Sequence, residues 1–256
     1  YSILVFLLIL LNFSTVCADD VDNEVDFEDT IEVTASNVSE LPKTNSRRYI
    51  VYDRISKSMI IGKNEDIKSA MASTTKIMTT IVILEKADLN EKVTVSAKAG
   101  GTGGSRLGLK RGDKASVRDL LYGLMLRSGN DAAVALAEHV GGSVKGFAEL
   151  MNEKAIELGL TNTHFVTPHG LDDANHYTTA LELAKLTDYA MDNETFAKIV
   201  GTKSTTIYIN NQSRQINNTN ELLGVLNGVV GVKTGFTNNA GRCLVTETKR
   251  NNMDII

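Results

Sequence analysis

Strand-forming segments at both ends of this 256-residue chain bracket a long helical middle. Arg48-Tyr49-Ile50-Val51-Tyr52 reads as a strand, Asp53 to Lys57 as a turn and Met59-Ile60-Ile61 as the returning strand. Strand signals come back only at Thr205 to Ile209, Val229 to Phe236, Arg242 to Thr248 and Met253 to Ile256. Between them apolar residues fall three and four apart, and helix signals are dense. One helix opens at Ser73 and ends before Asp88, and a second, Ser116 to Arg127, starts with the capping pair Ser116 and Asp119. Asp131 to Val140 forms a third, stopped by Gly141-Gly142, followed by a helix capped by Ser143 and another from Thr179 to about Met191. Strands at both ends of a helical block imply the α+β class: a mostly antiparallel sheet flanked by helices, with a helical subdomain. The strand ending at Ile256 is expected to leave an apolar sheet edge bare, so the chain reads as a fragment at both ends.

The chain begins at Tyr1 with an unbroken apolar run, Ile3 to Leu11, closed by Val16-Cys17-Ala18. Residues 1–18 read as a signal peptide lacking its charged start and cleaved after Ala18, which predicts export. A membrane-spanning helix needs about 20 apolar residues. Residues 19–46 read as a disordered tether: positions 19 to 32 hold eight acids and no base, too little apolar surface to fold alone. The whole chain has 27 basic and 31 acidic residues; without those eight acids the balance is 27 to 23, a mildly basic body suited to an anionic polymer such as a cell wall. Residues 47–256, about 210 in number, suffice for one compact domain. With Cys17 removed only Cys243 remains, so the mature chain has no internal disulfide and its core carries stability alone. No repeat is visible, and no basic-aromatic pattern suggests nucleic acid.

Three short words carry the chemistry: Ser73-Thr74-Thr75-Lys76, Ser128-Gly129-Asn130 and Lys233-Thr234-Gly235. Residues three apart on a helix share a face, so Ser73 and Lys76 can touch, and a serine at a helix start gains free N–H groups. A serine hydroxyl needs a nearby base to become a nucleophile. Lys76 serves as that base only when neutral, and burial beside a second cation, Lys233, lowers its pKa in the required direction. Ser128-Gly129-Asn130 lies between two helices, where a central glycine fits a tight turn. Ser128 is placed to relay a proton to a leaving amine, and Asn130 to hold the lysine and a substrate amide. Lys233-Thr234-Gly235 follows a β-rich stretch, where Gly235 permits close backbone approach. Lys233 and Thr234 suit a terminal carboxylate, and the N–H of Phe236 joins that of Ser73 as an oxyanion donor. Each word alone has a plain reading: a capping serine with an exposed lysine, a helix connector, an edge-strand lysine. The conjunction argues for a shared pocket, since the three sit on a helix start, a turn and a strand.

From about Tyr49 to Thr248 the chain resembles the D-alanyl-D-alanine carboxypeptidases, the low-molecular-weight penicillin-binding proteins of serine peptidase family S11. Beyond the three words, the resemblance rests on Ala72 to Thr79 (ASTTKIMT), Leu120 to Met125 (LLYGLM), Asp131-Ala132-Ala133, Phe165 to Leu171 (FVTPHGL) and Gly231 to Thr237 (GVKTGFT). It implies a serine β-lactamase/D,D-peptidase-like fold, with residues 47–256 as the catalytic domain of an envelope enzyme. That enzyme removes the terminal D-alanine from peptidoglycan stem peptides through an acyl-enzyme on Ser73, without cofactor or metal. It also implies covalent inhibition by β-lactams, and membrane association only through a C-terminal region missing here, along with the domain's last strand and helix. Met71 stands where the family usually has proline.

The nearest rival is a class A β-lactamase, whose second word is usually Ser-Asp-Asn and which needs a glutamate in a Glu-x-x-Leu-Asn word for deacylation. Glu149-Leu150-Met151-Asn152 and Glu157-Leu158-Gly159 do not fit it. A D,D-endopeptidase shares the chemistry, and a non-catalytic wall-binding module shares the fold without needing a base beside the serine. His164, His169 and His176 cluster with Asp172 and Asp173 at spacings that match no zinc word, and read as a structured loop. His139 reads as a surface or capping residue, and Gly100 to Ser105 as a flexible turn near the cleft.

Overall fold

A computed structural model describes residues 44–256. The expected signal peptide and nearly all of the acidic tether lie outside the described residues. Strands β1 (Tyr49–Asp53) and β2 (Ser58–Lys63) form the expected hairpin. They join β7 (Val229–Thr237), β8 (Gly241–Arg250) and β9 (Met253–Ile255) in a five-stranded antiparallel sheet ordered β2-β1-β9-β8-β7. The expectation of a bare edge at Met253 to Ile256 is corrected. β9 lies inside the sheet, hydrogen-bonded to β1 through Tyr52 and Ile256 and to β8, and β7 is an edge strand.

A second sheet was not foreseen. β3 (Lys92–Thr94), β4 (Lys114–Ser116), β5 (Ser204–Ile209) and β6 (Gln212–Asn217) pair antiparallel in that order. Two of these strands are three residues long and β6 is polar, so neither alternation nor apolar runs mark them. The readable signal was Asn210-Asn211: both residues have positive φ, 54° and 62°, as a two-residue hairpin turn of the primed type requires.

Helix α1 (Lys76–Lys86) is buried at every position from Lys76 to Ile83, so it is the central helix and its apolar residues are not confined to one stripe. Around it pack α3 (Val117–Leu126), α4 (Asn130–Gly141), α5 (Val144–Glu157), α6 (Ala180–Met191) and α7 (Glu194–Val200). The short α2 (Ala97–Gly101) lies against α4. The predicted caps form: Ser116 Oγ accepts from Asp119 N, Ser143 Oγ from Gly146 N and Thr179 Oγ1 from Glu182 N. The seven-residue α7, too short to read from periodicity, is capped by Asn193. The turn Ala72–Thr75, just ahead of α1, is pressed against β7 and β8.

Beyond β1 the sheet is tied to α6 by a charge cluster. Arg54, 7% exposed, donates to Asp188 (2.9 Å), Asp192 (2.6 Å), Glu247 (2.6 Å) and Asp254 (3.1 Å). Lys57 pairs with Asp188 at the rim. The Glu247 carboxyl is pushed up to about 7, first by burial and then by Asp254.

Candidate active site

Ser73 does not open the α-helix, as the sequence suggests, but sits in a 3-10 turn, Ala72–Thr75, just ahead of α1. The turn is made tight by Ala72, a non-glycine residue at φ 49°. A loop packs on it: Gly170, at φ 85°, has no room for a side chain, since a Cβ there would overlap the Ala72 carbonyl. Thr79 Oγ1 donates to Pro168 O at 2.7 Å. His176 Nδ1 accepts from Val166 N at 2.9 Å, so its Nε2 carries the hydrogen and donates to Thr75 Oγ1 at 2.8 Å. Thr75 then donates to Ala72 O. This chain of bonds explains the structured histidine loop.

Burial holds the His176 imidazole down to about 4 and that of His169 to about 3. An imidazole kept neutral in the fold adds stability that is complete above the unfolded value near 6.5 and is lost as pH falls from there toward 4. The cost of His176→Gln in urea unfolding is therefore expected to shrink by about 2 kcal/mol between pH 7 and pH 5. A cost independent of pH would refute the neutral, buried imidazole.

Lys76 is wholly buried, and its Nζ reaches three oxygens: Ser73 Oγ at 2.8 Å, Asn130 Oδ1 at 2.8 Å and His169 O at 2.7 Å. Its ammonium is held well below the usual lysine range, first by burial and then by Lys233, while Asp131 opposes both. Those are the two causes expected from sequence. Lys233 is itself buried, donates to Thr234 O at 2.9 Å and is pushed down to about 7 by burial.

In the second word the strained residue is Ser128, at φ 55°, and not the glycine. Gly129, at φ −62°, needs no special conformation; a Cβ there would press on Asp131 Oδ1 at 3.0 Å and on Leu107. The expected tight turn forms, but Gly129 serves packing. Non-glycine residues in this region are uncommon and cluster at functional sites. Ser128 is buried, though no hydrogen bond joins its hydroxyl to Ser73 or Lys76. Gly100 and Gly101 end α2 and are not part of the expected turn; Asn130, the first residue of α4, holds the segment that follows: its N–H donates to Ser105 O and its Nδ2 to Gly103 O, both at 2.8 Å.

The third word lies on edge strand β7. Gly235 does permit a close approach, but the approaching chain is the serine turn: a Cβ there would stand 2.8 Å from Ser73 N. Thr234 Oγ1 lies 3.1 Å from Thr219 Oγ1, and Phe236 is exposed. Thr237 Oγ1 donates to Asp172 at 2.6 Å, linking β7 to the histidine loop. The fold thus brings Ser73, Lys76, Asn130 and the Lys233 to Phe236 strand together. Sequence reasoning missed the His169 carbonyl and the Asp131 carboxylate.

Outside this set, His139 pairs with Glu91 at 2.7 Å and the His164 Nδ1–H donates to Asn175 O. Glu157 pairs with Lys154, Glu149 is exposed, and Met71 is buried in the core.

Residues 34–256 match the family model for D-alanyl-D-alanine carboxypeptidase, Peptidase S11. The chain belongs to that family. It is 38% identical over 213 residues to D-alanyl-D-alanine carboxypeptidase DacF of Bacillus subtilis, covering 81% of this chain and 55% of that one. It is 40% identical over 212 residues to the D-alanyl-D-alanine carboxypeptidase of Streptomyces sp. K15, covering 76% and 73%. The structure of the S96A mutant of Streptomyces K15 DD-transpeptidase superposes with a TM-score of 0.80 at 35% identity, covering 84% of this chain and 89% of that one. The crystal structure of D-alanyl-D-alanine carboxypeptidase DacD from Francisella tularensis gives 0.76 at 30%, covering 83% and 65%. This S11 chain spans little more than half the length of several curated relatives, 55%, 56% and 58%. No helix among the described residues is long and apolar enough to cross a membrane.

Proposed function

We propose that the chain is the catalytic part of a serine D-alanyl-D-alanine carboxypeptidase that removes the terminal D-alanine from peptidoglycan stem peptides. The observation that carries this reading is the set of contacts around Lys76. A neutral amine has two hydrogens and one lone pair. Asn130 Oδ1 and the His169 carbonyl are pure acceptors and take both hydrogens. The lone pair is left facing Ser73 Oγ at 2.8 Å, and burial with the nearby Lys233 charge favours the neutral form.

Ser73 then attacks the carbonyl of the penultimate D-alanine as Lys76 takes its proton. The N–H groups of Ser73 and Phe236 hold the developing oxyanion, one such donor being worth about 2.7–4 kcal/mol. Lys233 and Thr234 hold the terminal carboxylate, and Gly235 lets the β7 backbone lie against the serine. Ser128 passes the proton to the departing amine, and water releases the acyl-enzyme. The reaction uses no cofactor. β-Lactams acylate the same serine, and the enzyme acts after export, in the cell envelope.

The test is fluorescent penicillin labelling of the chain and of Ser73→Ala, alongside D-alanine release from an acyl-D-Ala-D-Ala peptide. Stoichiometric label and release are expected in the first and neither in the second. Label retained by Ser73→Ala would overturn the nucleophile, and fast sustained nitrocefin hydrolysis would reassign the chain as a β-lactamase.

A further inference from the structure

Asp131 follows Asn130 at the start of α4 and is wholly buried, a costly place for a carboxylate without compensation. Its compensation is a run of backbone amides. Oδ1 accepts from Leu107 N at 2.8 Å and Ala132 N at 3.0 Å; Oδ2 accepts from Gly108 N at 2.8 Å and Leu109 N at 2.9 Å. Four bonds fill its acceptor capacity, and three successive N–H groups form the kind of nest that binds an anion.

The same segment is held just upstream by Asn130, through Gly103 O and Ser105 O. Two adjacent residues of α4 therefore fix a wall from Gly103 to Leu109. Three of its seven residues are glycines, which bring conformational freedom and no side chains to fix it. The wall reaches across the site, where Gly104 lies close to Leu171 and to the Asn130 amide that touches Lys76.

We infer that Asp131 is a positioning residue whose buried carboxylate seats this wall and holds Asn130 over Lys76. The inference rests on the acyl-transfer reading above. Its charge adds a second consequence. The groups facing Lys76 are Ser73 from the serine turn, Asn130 and Asp131 from α4, His169 and His176 from the loop, and Lys233 from β7. Lys98 in turn faces His169. Both imidazoles stay neutral, so Asp131 is the anion that opposes Lys233 at the lysine.

The experiment follows penicillin acylation against pH in the wild type, Asp131→Asn, Asp131→Glu and Gly108→Ala. Gly108 is exposed at φ 86°, so alanine there strains the amide cradle without touching the site. We expect Gly108→Ala and Asp131→Glu to lower the plateau rate on the order of 10- to 100-fold, as displacement of reacting groups does, with the acid limb unmoved. Asp131→Asn lowers the plateau too and moves the acid limb down by at least about half a pH unit, because the anion that favours charged Lys76 is gone. A purely structural role leaves that limb in place. If Asp131→Asn folds and its acid limb stays put, or if Gly108→Ala acylates at the wild-type rate, the inference is overturned. Should Asp131→Asn not fold, Gly108→Ala decides. A wild type that is never acylated defeats the functional reading instead.

Discussion

Lys76→Met is expected to slow acylation of Ser73 by roughly a thousandfold, within the range that positioned general bases contribute. The substitution keeps an unbranched side chain of similar reach in a fully buried slot, so it removes the base with little change of shape. Two opposing costs decide whether the protein survives. Removing a buried amine relieves the cost of taking that polar group out of water. Leaving Asn130 Oδ1 and His169 O without their donor costs about 1–3 kcal/mol each. These nearly balance, so thermal unfolding should shift by only a few degrees while labelling collapses. Lys76→Arg should not rescue it, because a guanidinium stays protonated and offers no lone pair. Stopped-flow or gel-based acylation with fluorescent penicillin reads the result, and a near wild-type rate in Lys76→Met would remove the lysine from the proton transfer.

Arg54→Met carries the largest expected loss of stability. Arg54 is the common partner of Asp188, Asp192, Glu247 and Asp254. Removing one member of a buried ionic cluster costs about 3–5 kcal/mol, since the remaining charges stay buried without it. For a domain of this size that lowers the melting temperature by roughly 10 °C. β9 and β8 separate β1 from β7, so the folded fraction should still acylate normally. Adding Glu247→Gln should recover part of the loss by removing one of the stranded carboxyl groups. Melting curves read both variants, and an unchanged melting temperature for Arg54→Met would show that the cluster contributes nothing to the fold.

The parts of the site that could be read from sequence are those in which a residue type is itself the chemistry. Ser73, Lys76 and Lys233 were legible because a hydroxyl and two amines in these words suit one shared pocket, and the structure brings them together. Ser116, Ser143 and Thr179 were legible because capping is local. The His169 carbonyl was not, because every residue has one and only the tertiary path of the loop aims it at Lys76. Asp131 was hidden for a related reason: all but one of its partners are backbone amides more than twenty positions away. The 3-10 turn at Ser73 depends on Gly170 packing on Ala72, a contact no window around Ser73 contains. The four-stranded sheet escaped because pairing, and not apolar alternation, defines its short strands.

Gly235 and Thr234 stand on a strand with one side unpaired. A ligand laid along such a rim is gripped by its main chain, which is the same in every peptide. Discrimination then falls on what the rim meets at its end, a free carboxylate beside Lys233 and a scissile carbonyl turned toward Ser73. Under the proposed activity, upstream side chains of the stem can vary widely with small changes in turnover. Amidating the terminal carboxylate, or inverting one of the last two stereocentres, should abolish it.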